Sequence, residues 1–395
     1  MALGIYISVP FCRTKCSYCN FASDVFSRVV FERYVDRVCG DIKDAARVAA
    51  EMRGQIESTV DSIYLGGGTP TVLDAAQLER IFATVRSQFD VTPEAEITVE
   101  CAPGTLTPAV LESLLRCGVN RVSLGVQSFV DQEAAAVGRL HKRVTVLEEI
   151  ARLRAVGIVN INIDLIAGLP HQTAESWEFS LAETITTGAP HVSVYMLEVD
   201  EDSRLGRELL AGGTRYHAHF VPNEEAMADF YLAACERLQA AGIAQYEISN
   251  FARESCESRH NLKYWTRQPY FGFGVDAHSM LLSTETDGEA VRFAPADTLE
   301  EYVNASALQR TAVSREAALE ESLFLGLRLT RGISLQELSR KFGEEALESA
   351  RAAIAEFVEG GLMERQGDCV RLTSRGRLLS NEVFERFILA DQVAR

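Results

Sequence analysis

The first 250 residues repeat one pattern of apolar and polar positions. In "GIYISV", Ile5, Ile7 and Val9 alternate with Tyr6 and Ser8. Ile63 and Leu65 alternate with Tyr64 and Gly66, and Ile97 and Val99 with Thr98 and Glu100. The same holds for Val122, Leu124 and Val126 against Ser123, Gly125 and Gln127. It holds again for Ile161, Ile163 and Leu165 against Asn160, Asn162 and Asp164, and for Val192, Val194 and Met196 against Ser193 and Tyr195. A period of two predicts strands. "YEIS" at 246–249 is a seventh candidate. Helical stretches such as "AAQLERIFATVRSQF", "AVLESLLRCG" and "VTVLEEIARLRAVG" lie between them. Strand–helix alternation predicts βαβ crossovers and an α/β fold with a parallel sheet. Six or more such units predict a partial or full parallel (β/α) barrel, with a doubly wound sheet as the fallback.

Parallel strands covered by helices on both sides are usually apolar on both faces. Here one face is polar in nearly every strand. An antiparallel sheet wetted on one side would show the same alternation, but the connections are too long and helical for hairpins. The pattern therefore predicts a barrel whose lumen holds a polar ligand. Glu100, Gln127 and Asp164 fall near the carboxyl ends of their strands, where parallel barrels place their active sites.

Beyond residue 200 the pattern loosens. One helix is expected around "NEEAMADFYLAACERLQAAG", followed by a loop-rich aromatic stretch, "RHNLKYWTRQPYFGFGVDAHS". From about 305, three helical segments precede two short strands around a Gly-Asp turn, which resembles a winged helix. The expected division is a barrel over 1–220, a connecting region over 221–304 and a C-terminal winged-helix-like domain over 305–395.

Charge narrows the partners. The net charge is −17, which argues against nucleic acid or an anionic membrane surface as a general partner. Residues 305–395 hold 13 Lys and Arg against 14 Asp and Glu, so the winged-helix-like part has no electrostatic case for DNA. No apolar run approaches the roughly 20 residues that span a bilayer. The start, "MALGIYISVPF", has neither a basic leader nor a small-residue cleavage site, so a cytoplasmic protein is expected. Nine cysteines, an odd number, predict reduced thiols rather than a disulfide framework.

Three of those cysteines cluster. Cys12, Cys16 and Cys19 follow the first strand in the spacing C-x3-C-x2-C, and Asn20 stands where a fourth could have been. Three soft thiolates suit zinc or an iron–sulfur cluster. Zinc wants four ligands, and His171 or His260 could complete such a set. A [4Fe–4S] cube takes one cysteine per iron, so three cysteines leave one iron for an outside ligand.

C-x3-C-x2-C after the first strand of a βα barrel resembles the radical S-adenosylmethionine superfamily. In that superfamily the open iron chelates adenosylmethionine and the cluster donates the electron that cleaves it to a 5′-deoxyadenosyl radical. The resemblance implies that Tyr18 packs on adenine and that the glycine-rich "YLGGGTP" brings Gly67, Gly68 and Thr69 to the ligand. Consecutive glycines alone also suit a tight turn. The stretches "ITVECAP", "VSLGVQSF", "AVGRLH" and "NIDLIAGLP" resemble the coproporphyrinogen dehydrogenase-like branch. That branch implies adenosylmethionine contacts at Tyr6, Glu100, Gln127, Arg139 and Asp164. The residue types agree: carboxylates and amides suit ribose hydroxyls and an α-amino group, and Arg139 suits a carboxylate.

Two sides of this branch differ. The dehydrogenases, which decarboxylate coproporphyrinogen III, usually read C-x3-C-x2-C-x-C and carry additional sequence before the barrel. This chain has Asn20-Phe21 after the third cysteine. It also carries H-N-x-x-Y-W complete, from His260 to Trp265, which resembles the HemW-type heme chaperones. Imidazole is a common axial ligand for heme iron, and Tyr264 and Trp265 match its flat apolar face. A turn packed on the barrel with His260 hydrogen-bonded is the other reading of the motif. His278, His217 and His219 are further axial candidates by chemistry alone. The resemblance implies a heme chaperone with a [4Fe–4S] cluster, S-adenosylmethionine and heme, serving respiratory heme proteins at the membrane. The alternatives are an oxygen-independent coproporphyrinogen III dehydrogenase or another radical enzyme acting on a tetrapyrrole.

Overall fold

Six parallel strands carry the fold: Leu3–Val9, Thr59–Gly67, Asp90–Cys101, Arg121–Gln127, Asn160–Ala167 and His191–Met196. The computed structural model describes residues 1–285, 289–304 and 307–388. Neighbouring strands pair with Tyr6 opposite Tyr64, Tyr64 opposite Thr98, Thr98 opposite Arg121, and Arg121 opposite Asn160. Asn162 lies opposite His191, and Asp164 opposite Ser193. The register thus brings the polar positions of all six strands onto one concave face.

The apolar positions form the other face. Ile5, Ile7, Ile63, Leu65, Val99, Val122, Leu124, Ile161, Ile163 and Val192 are buried in one core, together with apolar residues of the covering helices. The helix Ala75–Gln88 shows why these segments pack so: Leu78, Ile81, Phe82 and Val85 recur at helical spacing and are buried. Its start is fixed by a capping box, in which the Asp74 carboxylate accepts from Gln77 N and the Gln77 side chain accepts from Asp74 N. Thr173 and Ser176 repeat the device for Ala174–Thr187, which ends on left-handed Gly188.

Among the described residues the sheet continues past the six strands on both sides and its two ends do not pair, so the barrel is partial. Tyr270–Gly274 runs parallel beside the first strand, and Ser279–Ser283, Ala290–Ala294 and Gln309–Val313 follow it antiparallel. On the far edge, Asn250–Ala252 pairs antiparallel with His191–Met196. The candidate strand at 246–249 is displaced to this position, with Ala244–Gln245 beyond it. The stretch expected to be loop-rich is largely ordered, as the helix Arg259–Trp265 and the strand Tyr270–Gly274. Glycine hides that strand from a pattern reading: a side chain at Gly272 would meet the His278 carbonyl at 2.2 Å.

A second core forms around the helices Arg315–Leu327, Leu335–Phe342 and Glu348–Glu359. They pack with a three-stranded antiparallel sheet in which Cys369–Leu372 lies between Ile333–Ser334 and Met363–Gln366. The hairpin turns at Gly367, which has φ 61. Polar contacts join this module to the barrel. Arg328 lies over the Trp265 ring at 4.3 Å and pairs with buried Glu247, and Arg267 pairs with Glu321 at 2.8 Å. No helix among the described residues is long and apolar enough to cross a membrane.

Candidate functional site

The loop after the first strand carries Cys12, Cys16 and Cys19 over the carboxyl ends of the parallel strands. Backbone bonds hold it: Cys12 N donates to the Asp24 carbonyl, Ser17 N to Val137 and Cys19 N to Cys16. Lys15 Nζ donates to the carbonyls of Phe21 and Ser23, bracing the loop from inside. Asn20 donates from its side chain to Asp200 at 2.9 Å, so it ties the loop to the segment after the sixth strand. Burial pushes the Cys12 and Cys19 thiols above the ordinary range.

The glycine-rich segment supports this loop. Gly68 N donates to the Val9 carbonyl at 2.8 Å and Thr69 N to the Phe11 carbonyl at 2.7 Å. A Cβ at Gly68 would meet the Phe11 carbonyl at 2.7 Å and the Cys12 sulfur at 3.0 Å, so only glycine lets the two segments approach so closely. Gly67 is left-handed, with φ 99, and its N–H donates to Glu100.

Glu100 and Asp164 face the lumen as a pair of carboxylates. Glu100 accepts from Tyr64 OH at 2.9 Å and from Gly67 N at 3.1 Å. Burial, then the neighbouring Asp164 charge, pushes Glu100 up to about 8. Burial also raises Asp164, although Ser123 and Asn162 donate to it. Two acids held this way favour a cationic partner. Arg139 reaches over Gly125 and donates to Tyr18 OH at 3.0 Å. Its Nε is buried without a partner among the described residues. Gln127 ends its strand in the left-handed region, with φ 68, a strained position of the kind that gathers at binding sites.

These groups share one cavity of about 540 Å³. Cys12, Cys16, Cys19, Tyr18, Gly67, Gly68, Thr69, Glu100, Gln127, Arg139 and Asp164 all line it. Its size is that of an ordinary pocket for a single small ligand, roughly 300–1,000 Å³. Tyr64, Arg121, Ser123, Asn162 and Ser193 also line it. Arg121 was not singled out from the sequence, although it stands two positions before Ser123 on the lumen face. Arg328, Arg377, Ser380 and Asn381 of the C-terminal module complete the wall.

Tyr6 and His260 are not among the lining residues. Tyr6 lies deeper, with its ring 6.2 Å from Tyr64 and 6.4 Å from His260. The helix Arg259–Trp265 packs across the amino-terminal ends of the strands. Glu96 accepts from Arg259 N and His260 N at the start of this helix, Lys263 pairs with Asp61 at 2.7 Å, and Lys263 Nζ donates to the Ala2 carbonyl. His260 is 1% exposed. Its Nδ1 meets Ser62 Oγ at 3.1 Å and its Nε2 meets Tyr264 OH at 2.9 Å. Burial lowers it to about 3, so it is a neutral core imidazole with both nitrogens engaged.

The donor set can also be tested against a metal. Among the described residues no group of three or more His, Cys, Asp or Glu converges as a single ion requires. His260 is at the base of the barrel and His171 is paired with His217, so neither completes a zinc tetrahedron with the cysteines. A cubane cluster spreads its thiolates over separate irons and suits a short loop that presents three of them to one cavity. The Arg139 guanidinium suits an amino acid's carboxylate, and the raised acids Glu100 and Asp164 gain their charge when a cationic amino group sits beside them.

Comparisons with known proteins agree with this geometry. Residues 6–182 match the model of the Radical SAM superfamily, and residues 313–379 match that of the HemN C-terminal domain. The chain is 34% identical to a Bacillus subtilis protein named heme chaperone HemW, across 97% of this chain and 98% of that one. It is 31% identical to the Lactococcus lactis heme chaperone HemW, across 98% and 97%. It is 28% identical to the Escherichia coli heme chaperone HemW, across 98% of each. Among solved structures, coproporphyrinogen III oxidase (HemN) from Escherichia coli aligns with a TM-score of 0.83 at 23% identity, across 98% of this chain and 90% of that one. At that identity the likeness is one of fold. The chain belongs to the radical SAM superfamily and, within it, to the family of the heme chaperones HemW.

Proposed function

We propose that this protein is a cytoplasmic heme chaperone that binds heme and delivers it to respiratory heme proteins at the membrane. The observation that carries this reading is the kinship with proteins named heme chaperones, which spans nearly the full length of both partners. In this reading Cys12, Cys16 and Cys19 hold a [4Fe–4S] cluster, and residues 1–220, 221–304 and 305–395 are barrel, connection and C-terminal domain. When bound, the cluster supplies one-electron chemistry at the sulfonium of S-adenosylmethionine.

The chain's own residues position that ligand. Arg139 pairs with the carboxylate through its guanidinium, and Gly67, Gly68 and Thr69 receive the amino end. Glu100 and Asp164 take up positive charge and hydroxyl groups, Gln127 adds an amide, and Tyr18 lies beside Arg139 where an adenine ring can stack. Tyr6 acts from the layer beneath, through Tyr64.

The test is transfer. Heme-loaded protein is mixed with an apo respiratory heme protein, and the acceptor's Soret spectrum is followed. Growth of the acceptor spectrum with matching loss from the donor supports the reading. No transfer, together with turnover of coproporphyrinogen III to protoporphyrinogen, would establish the dehydrogenase instead.

A further inference from the structure

One cation of the chamber has no partner in the fold. Arg121 lines the cavity, yet the residue is 1% exposed. Its Nε has no hydrogen-bond partner, and its guanidinium forms no ion pair among the described residues. The register sets Arg121 between Thr98 and Asn160. Both keep buried oxygens without a hydrogen-bond partner among the described residues, so the guanidinium has not turned to them. A buried charge is ordinarily paired, because removing an ion from water is far more costly than removing a neutral polar group.

The groups around Arg121 are engaged elsewhere. Asn162 donates to Ser123 and Asp164, Ser193 to Asn250, and Tyr64 to Glu100. The other Lys and Arg side chains of the cavity wall have partners as well. Arg13 donates to the Gly104 carbonyl and Lys15 to that of Phe21. Arg139 donates to Tyr18, Arg328 pairs with Glu247, and Arg377 donates to the Leu372 carbonyl.

The ligand proposed for the chamber does not supply the missing anion. S-adenosylmethionine brings a sulfonium, an amino group and a carboxylate. Set against Glu100, Asp164 and Arg139 these charges cancel, and Arg121 is the cation left over. The anion that fits has a definable chemistry. A guanidinium holds a planar carboxylate through two parallel hydrogen bonds. A phosphate would bring a second negative charge into a lumen that already holds Glu100 and Asp164, and repulsion disfavours it. Arg121 shares a layer with Tyr64 and Thr98, and the next layer towards the base carries Ser62 and Glu96, which both bond His260. The free guanidinium therefore stands between the chamber and the helix Arg259–Trp265. Heme is a ligand of the required kind, because its two carboxylates each end a short flexible arm beyond the ring. Building on the proposed function, we propose that Arg121 is the anchor for a carboxylate of bound heme.

The test titrates full-length, cluster-loaded protein with ferric heme and with heme dimethyl ester, in which both carboxylates are masked. Affinity is read from the Soret band. Wild type binds heme about tenfold more tightly than the ester, the size expected for one charge-assisted pair. Arg121→Gln binds heme about tenfold more weakly than wild type and no longer separates heme from the ester. Arg121→Lys keeps the charge without the fork and retains only part of the difference. Should Arg121→Gln fail to fold, Arg121→Lys carries the test, and an undiminished preference for heme over the ester would then overturn the assignment. A purely structural Arg121 would lower the melting temperature of the variants and leave the heme-to-ester ratio at its wild-type value, which also overturns it. Equal binding of heme and ester by wild type would do the same while leaving the chaperone reading standing. Absence of heme binding by wild type would remove the chaperone reading and the anchor with it.

Discussion

Replacing Glu100 by Gln tests the electrostatics of the lumen directly. In the fold Glu100 titrates at about 8 against an ordinary 4.5, first because it is buried and then because Asp164 stands near it. The folded protein therefore keeps a proton on Glu100 at pH values where the unfolded chain has released it. Linkage makes stability fall as pH rises from about 4.5 towards 8, and level off above that. At about 1.4 kcal/mol per pH unit the full penalty is at most about 5 kcal/mol. Glu100 borders the cavity, and water there softens the penalty, so about 2–3 kcal/mol is the expected size. Gln is close to an isostere: it can accept from Gly67 N and donate to Tyr64 OH, which is able to accept. Protein without cluster or adenosylmethionine is melted from pH 5 to pH 9. The variant matches wild type at pH 5. At pH 9 it melts several degrees higher, at about 2–4 °C per kcal/mol for a domain of barrel size. The same variant binds adenosylmethionine more weakly, because the carboxylate that takes up positive charge is gone. Parallel melting curves across this range, or a variant less stable at pH 9, would refute the account of the carboxylate pair.

Cys12→Ser, Cys16→Ser and Cys19→Ser each abolish the visible iron–sulfur absorption after anaerobic reconstitution, whereas Cys39→Ser, buried among the helices, retains it. His260→Ala leaves Ser62 and Tyr264 without a partner and opens a void at the base of the barrel, lowering stability by about 2–4 kcal/mol in urea unfolding. Trp177→Ala empties a fully buried site and frees the Phe230 carbonyl that its indole N–H bonds at 2.7 Å, for a loss of about 3–5 kcal/mol. Lys263→Met strips Asp61 of its charge partner. It also removes the donor to the Ala2 carbonyl, and urea unfolding reads a less stable protein.

The barrel and its contents were legible because both obey periodic rules. Alternation set the lumen residues, and strand ends set Glu100, Gln127 and Asp164 beside the cysteine loop. The base of the barrel was not legible in the same way. Arg259 to Trp265 form only seven residues of helix, and its start is held by Glu96, more than 160 residues away in sequence. The bonds of His260 to Ser62 and Tyr264 carry no local signal, because Ser62 lies 198 positions away. The strand at 270–274 was concealed by Gly272 and Gly274, which serve close backbone approach rather than pattern. His171 and His217 meet across 46 positions through two left-handed turns, which composition and periodicity do not report. Asn20 read as a missing ligand, and its bond to Asp200 emerged only from the fold.

The cavity wall is made by two separately packed cores. The barrel supplies the cysteine loop and the carboxylates, and the C-terminal module supplies Arg328, Arg377, Ser380 and Asn381. Polar contacts such as Arg328 on Trp265 and Glu247, and Arg267 on Glu321, bridge the seam. Apolar side chains cross it as well: Ile248, Met280 and Ala290 belong to the second core, and Leu378 of the module packs on the barrel core. The width of the chamber is therefore set by how this joint packs, and its capacity is a property of the joint rather than of either half.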